Sequence, residues 1–242
     1  MERLYNWWFI SIAMFIGYFI IAGGLFYLFN AVKRKNFAHL KIQKKYTSRK
    51  IITSEIKYSV ITLLIYVGSS YGVYSLKENG FTKIYFDIDK YSGGYFLLSV
   101  LLMIIIHDTY FYWSHRLIHH PKLFRIIHRI HHKSFNPTPW ASFSFHPFEA
   151  MISIGYIPII IFLIPSHPIA LFLFLSLMLS INILGHLGYE LFSRRFMNGP
   201  VGKWINASTF HNIHHKDVNY NYGLYFTFWD RAMGTFKKEG AS

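Results

Sequence analysis

The chain contains no cysteine among its 242 residues. Disulfides, thiolate metal ligands and a cysteine nucleophile are thereby excluded, so any metal must be held by histidine, carboxylate or backbone groups. Acid is scarce as well: 11 Asp and Glu stand against 25 Lys and Arg, a formal net charge of +14. The H-E-x-x-H of a zincin protease is missing, as are the G-x-x-x-x-G-K-[ST] phosphate loop and the G-x-G-x-x-G dinucleotide fingerprint.

Apolar sequence is abundant. The chain is 52% hydrophobic and 20% aromatic but only 15% charged, and its mean hydropathy is +0.25, the balance of a membrane protein. Residues 7–29 carry no charge and open on paired tryptophans suited to an interface. That run is long enough to cross a bilayer and reads as a retained anchor, because its apolar stretch exceeds a signal-peptide core and no small-residue cleavage site follows. Further segments cover 58–76 and 93–113. A fourth (150–164) and a fifth (168–185) are parted only by Pro165-Ser166-His167-Pro168 and read as a tight, partly re-entrant hairpin. The fold class expected is all-α integral membrane, with four to five transmembrane or re-entrant helices. Residues 1–92 would form N-terminal membrane helices with a basic loop, and 93–242 the chemistry-bearing part.

Charge sets the expected topology. Loop 30–57 holds nine basic residues, Lys33 and Arg34 among them, whereas loop 77–92 balances three lysines with Glu78, Asp87 and Asp89. The positive-inside rule places the first loop in the cytoplasm and the second outside. Segments 114–149 and 186–242 then also fall inside, bringing 21 of the 25 basic residues to one side. Orientation and anionic headgroups account for the basic balance, and nucleic acid is not the expected partner.

The histidines crowd onto that same side. His115 and His119 are four apart; His128, His131 and His132 form H-x-x-H-H; His211, His214 and His215 repeat it. Residues at i, i+3 and i+4 share a helix face, so each cluster can aim two or three imidazoles at one point. Eight clustered nitrogen donors exceed the four of a structural zinc, and two metals are the economical interpretation. His186, at the end of the fifth segment, is a further candidate ligand, and His146 another, with Glu149 placed to orient it. His107 lies within the third segment, either as a functional intramembrane group or as a partner of Asp108. His39 and His167 read as ordinary interface or core residues.

The runs D-T-Y-F-Y-W-S-H-R-L-I-H-H (108–120), H-R-I-H-H-K (128–133), P-T-P-W-A-S-F-S-F-H-P-F-E-A (137–150) and H-N-I-H-H-K-D-V-N-Y-N-Y-G-L-Y-F-T-F-W-D-R-A-M-G-T-F (211–236) resemble the sterol desaturase branch of the fatty acid hydroxylase superfamily. The resemblance covers roughly 105–236 and is nearest to the sterol C5-desaturase group. It implies transmembrane helices carrying a cytosolic helical cap around a histidine-bound diiron centre. His115, His119, His128, His131, His132, His186, His211, His214 and His215 would be the ligands. Where some relatives carry a further histidine, this chain has Asn182, and Leu187 stands where the C5-desaturase group is commonly acidic.

The resemblance further implies O2 as co-substrate, two Fe ions (with Zn in recombinant protein), and hydroxylation or desaturation of a lipid: sterol, fatty acyl or related. The electron donor would be of cytochrome b5 or ferredoxin type. The membrane would be bacterial plasma membrane or endoplasmic reticulum, with the catalytic side cytoplasmic. Asp108, Glu149, Asp217 and Asp230 are candidates to orient imidazole N–H groups; Asp230 could equally pair with Arg231 or a helix terminus. Tyr220, Tyr222, Tyr225, Phe226, Phe228 and Trp229 either line an apolar slot or pack the cap onto the interface. A membrane haem carrier would need one histidine on each of two helices rather than consecutive boxes. A non-catalytic metal-binding or transport protein is the alternative, although no inverted repeat is visible and the histidines sit at one membrane surface.

Overall fold

A computed structural model describes residues 2–32 and 35–238, residues 2–8 by their backbone alone. Lys33 and Arg34, the side chains of Trp7 and Trp8, and residues 239–242 lie outside the described residues. Among those described there is no β-strand, only three isolated bridges.

Four helices are long and apolar enough to cross a membrane: α1 (Glu2–Tyr27, continued by a π turn to Val32), α2 (Arg49–Glu78), α3 (Gly93–Ile118) and, later in the chain, α7 (Pro168–Gly185). Between α3 and α7 run α4 (residues 121–132), α5 (Pro147–Ser153) and α6 (Tyr156–Leu163). After α7 come α8 (Ser208–Lys216) and the short α9 (Phe228–Ala232).

Local chemistry fixes the helix starts. Ser48 and Ser92 accept from the N–H groups of Ile51 and Tyr95 at the openings of α2 and α3, as N-cap side chains do. His146 and His167 cap α5 and α7 in the same way, each followed by proline at the first helical position. Helix α2 begins nine residues before the apolar run that announced it. Its early turns carry Lys50, Glu55 and Lys57, yet Glu55 is buried and accepts a hydrogen bond from the Thr138 hydroxyl. Tertiary packing thus absorbs a carboxylate that hydropathy counts as outside the helix. The stretch G-S-S-Y-G (68–72) matches the nucleophile-elbow pattern G-x-S-x-G, but it lies inside α2 and the Ser70 hydroxyl donates to the Val67 carbonyl (2.6 Å). No strand-to-helix turn presents that serine.

Exposed rows at four-residue spacing show what the outer surface faces. Ile12, Ile16 and Ile20 on α1, Leu97, Leu101 and Ile105 on α3, and Ile169, Leu173 and Leu177 on α7 are all exposed. Continuous apolar stripes of this kind suit hydrocarbon rather than water. Inside, Met103, Tyr156, Ile160, Leu171 and Phe174 pack α3 against α6 and α7. Tyr18 and Ser59 both donate to the Trp140 carbonyl (2.9 and 2.8 Å), clamping α1 and α2 onto the 3-10 turn Pro139–Phe143.

The two ends of this bundle differ. At one, the turn before α7 is tied to loop 81–92 and the first turn of α3: Tyr85 N–H donates to the Ser166 carbonyl, Tyr95 hydroxyl to that of Pro165, and the His167 ring to that of Phe86. At the other, α3 and α7 deliver His115 and His186 to a helical cap built from α4, α5 and α8. The basic loop closes over that cap, with Ile42 N–H donating to the Gly188 carbonyl and Gln43 bonding Asn212 on α8.

Candidate metal centre

Four elements converge to place nine imidazoles. His115 rides the last turn of α3 and His119 is its C-cap. Helix α4 carries His128, His131 and His132, with a π turn at Phe124–His128; such turns favour functional positions. His186 caps α7, and α8 carries His211, His214 and His215.

They fall into two groups, His115, His119, His128, His132 and His214 in one and His131, His186, His211 and His215 in the other, each with its candidate ligand atoms within 4.8 Å of one another. Each H-x-x-H-H box is therefore divided. Residues i and i+4 go together (His128 with His132, His211 with His215), while the i+3 residue joins the opposite group. The two boxes face each other across the pair of sites, so neither aims all three imidazoles at one point.

The hydrogen bonds test whether a metal fits. His115 Nδ1–H donates to the Tyr222 carbonyl (2.8 Å) and His128 Nδ1–H to Glu149 Oε1 (2.6 Å). In the neutral imidazole this leaves a bare lone pair on each Nε2, yet those two atoms lie 3.1 Å apart. Lone pairs at that distance repel unless a cation sits between them. In the second group His186 Nδ1–H donates to the Asn182 carbonyl (2.8 Å), and its Nε2 lies 2.9 Å from that of His211 and 3.3 Å from that of His131. Nitrogen ligands at about 2.0–2.1 Å from one metal stand roughly 2.9–3.4 Å apart. His119 Nε2, His214 Nε2 and both ring nitrogens of His215 are buried without a hydrogen-bond partner. The donor set fits metal ions.

Electrostatics agree. Burial, with neighbouring imidazoles adding to it, holds His119, His128, His131, His132, His211, His214 and His215 well below the ordinary histidine range. Burial lowers His186 to about 4. Imidazoles held neutral keep the lone pair that binds metal. Burial pushes Glu149, the carboxyl in contact among the described residues, well up.

The other expected residues stand as follows. Glu149 bonds the ring of His128 and not that of His146, whose Nδ1 instead accepts from Phe148 N–H as the cap of α5. His146 lies in neither group. Asp108 and Asp230 touch no imidazole. Asp108 Oδ1 accepts from the N–H groups of Tyr225 and Phe226, and Asp230 accepts from those of Tyr222 and Gly223 at 2.8 Å each. They pin one loop from two sides, and that loop presents the Tyr222 and Tyr220 carbonyls to His115 and His214. Asp217 pairs with Lys237 (3.0 Å) at the surface. His107 bonds the Tyr225 hydroxyl (2.8 Å) rather than Asp108. Of the aromatic run, Tyr222 packs over His115, His119 and His214, Tyr225 is buried, and Phe226 and Phe228 are exposed.

Sequence reasoning missed Glu190, which accepts from Thr209 N–H and hydroxyl (3.0 and 2.6 Å) and so fixes the start of α8. It also missed the two loop carbonyls, since a backbone acceptor has no residue type. Their only trace is Asn221 at φ 57° and Gly223, where a Cβ would collide with the Phe226 carbonyl and approach Asp230.

Comparison with known proteins agrees with this geometry. Residues 100–235 match the fatty acid hydroxylase family. A Delta(7)-sterol 5(6)-desaturase of Gibberella zeae is 29% identical over 94% of this chain and 68% of its own length. The lathosterol oxidase of Homo sapiens is 29% identical over 94% of this chain and 73% of its own. A Delta(7)-sterol 5(6)-desaturase of Candida albicans is 31% identical over 91% and 54%. No solved structure matches the chain. With its four apolar helices and its histidine groups, the chain belongs to the fatty acid hydroxylase family, as an integral membrane enzyme of the sterol desaturase branch.

Proposed function

We propose that the chain desaturates or hydroxylates a C–H bond of a sterol or closely related lipid, using O2 and two iron ions held by the two histidine groups. The observation that carries this reading is the approach of imidazole Nε2 atoms to 2.9–3.3 Å of one another in both groups, with two bare lone pairs facing each other at 3.1 Å in the first. The names of the relatives, sterol desaturases and lathosterol oxidases, favour a sterol. Bound in the two groups, iron supplies an oxidant for unactivated C–H bonds that no side chain can match.

The chain's own part is positional. Glu149 and the carbonyls of Tyr222, Tyr220 and Asn182 fix the Nδ1–H tautomers, so that Nε2 of His128, His115, His214 and His186 faces inward. Burial of seven of the nine rings, with His119 and His132 half-buried, keeps bulk water from the reacting centre. The catalytic face is assigned to the cytoplasm because the basic loop 41–47 lies on the histidine cap and positive loops stay inside. A small acidic carrier of cytochrome b5 or ferredoxin type fits that basic face.

The test is turnover by the full chain in nanodiscs, loaded with iron and supplied with electrons and a Δ7-sterol. A product two mass units lighter, or sixteen heavier, that is lost on chelation supports the reading. An unaltered sterol from protein holding two irons and taking up electrons would refute the sterol assignment.

A further inference from the structure

The cavity that touches the histidines is small. It encloses about 30 Å³ between Phe111, Ser114, Ile152, Ser153, Asn182 and the rings of both groups. That admits a molecule the size of water or O2, not a lipid's carbon skeleton. A second cavity of about 400 Å³ lies between α1, α2, α6 and α7, walled by Met14, Leu63, Val67, Leu175 and Met178 among others. Its size and lining are those of a site for an apolar small molecule.

The two are parted by a thin wall. Tyr66 lines the large chamber and Ser153 the small one, and their hydroxyl oxygens are 2.6 Å apart. Ser153 Oγ–H already donates to the Ala150 carbonyl (2.8 Å), so the Tyr66 hydroxyl is the donor to Ser153. Beside them Phe143 faces the chamber and Phe145 the histidine cavity, ring centres 6.2 Å apart, with Phe145 5.2 Å from His131. Ser153 is the last residue of α5, and the helix is interrupted by a turn at Ile154–Gly155 before α6 begins. At this point the wall is a helix end held by side-chain hydrogen bonds, where the Tyr110 hydroxyl also donates to the Ile152 carbonyl (2.6 Å).

We propose that the large chamber receives the apolar body of a sterol-like lipid, and that the Tyr66–Ser153 hydrogen bond is a latch that must part before the reacting carbon can reach the histidines. The occupant follows from continuity. The chamber ends on the wall of the histidine cavity, and that cavity alone cannot take the molecule whose C–H bond is to be oxidised. The inference rests on the lipid-oxidising reading above, but its test does not depend on turnover.

The probe is a diazirine-bearing Δ7-sterol, photolysed with the full metal-loaded chain in phospholipid nanodiscs, with adducts mapped by mass spectrometry and metal counted on the same sample. The expected result is labelling of Leu63, Leu175 or Met178, reduced at least tenfold by Leu175→Trp with metal unchanged. Tyr66→Phe and Ser153→Ala should each raise adducts on Ile152 and Phe145 severalfold relative to chamber adducts. The double variant should exceed neither, since all three lack the same bond. Adducts only on outward residues such as Leu101 and Leu173, or a chamber kept unlabelled by the excess of acyl chains, would overturn the chamber. An unchanged ratio in Tyr66→Phe would overturn the latch. Chamber labelling in protein that binds no metal would count against the dimetal reading alone.

Discussion

The two histidine groups are built to different standards. The first has five imidazoles, and three of them are tied through Nδ1 to fixed acceptors: His115 to the Tyr222 carbonyl, His214 to that of Tyr220, His128 to Glu149. The second has four imidazoles, of which His186 bonds the Asn182 carbonyl, and it has no carboxylate. Three of its rings, His131, His186 and His211, line the small cavity beside Asn182, as do His115 and His128 of the first. The first group is therefore the more anchored and the richer in donors. Asn182 stands beside the second group, its amide donating to the Ser142 carbonyl (2.8 Å).

Removing metal from both groups should have the largest effect, because it leaves lone pairs of buried rings facing each other. Chelation is expected to lower the Tm by more than about 10 °C, measured by nanoscale fluorimetry in detergent, with recovery on adding back iron or zinc. Next comes Glu149→Ala, which strips His128 of its acceptor. Metal affinity of the first group should fall roughly 10- to 100-fold while one metal per chain stays tight, and Glu149→Gln should restore much of the loss.

Asp230→Asn slackens the loop behind His115 and His214 without touching either ring. It is expected to cost ~1–2 kcal/mol in urea unfolding and to loosen the first metal but not the second. Asn182→Ala is the mildest, ~0.5–1.5 kcal/mol, with its effect confined to the second metal. If Asp230→Asn loosened both metals equally, the two groups would not be independently supported.

The nine clustered histidines and the four long helices are legible in the sequence because both are local signals. Spacings of three and four put rings on one helix face, and uncharged runs of bilayer length need no partner to be recognised. What the spacing could not reveal is that each H-x-x-H-H box serves both groups, since that depends on how α4 and α8 face each other. The same limit applied to the acids. Asp108 and Asp230 lie near the boxes in sequence yet act on the backbone of residues 222–226, through bonds spanning as many as 118 residues. Glu149 is legible as a carboxylate that orients an imidazole, but sequence proximity pairs it with His146, whereas the chain reverses between His128 and His146 and brings His128 against α5. The early start of α2 has no local signal, because the burial of Glu55 depends on Thr138, 83 residues away.

The central claim is that the cap holds two metals, one in each group, and adjacent residues test it most directly. His214 and His215 are neighbours on α8 but belong to different groups. Metal content of the purified full chain should be close to two per chain. It should fall to one in His214→Ala and to one in His215→Ala, and to none in a variant lacking both. The absence of tightly bound metal in the wild type, or a single ion indifferent to both substitutions, would contradict the account.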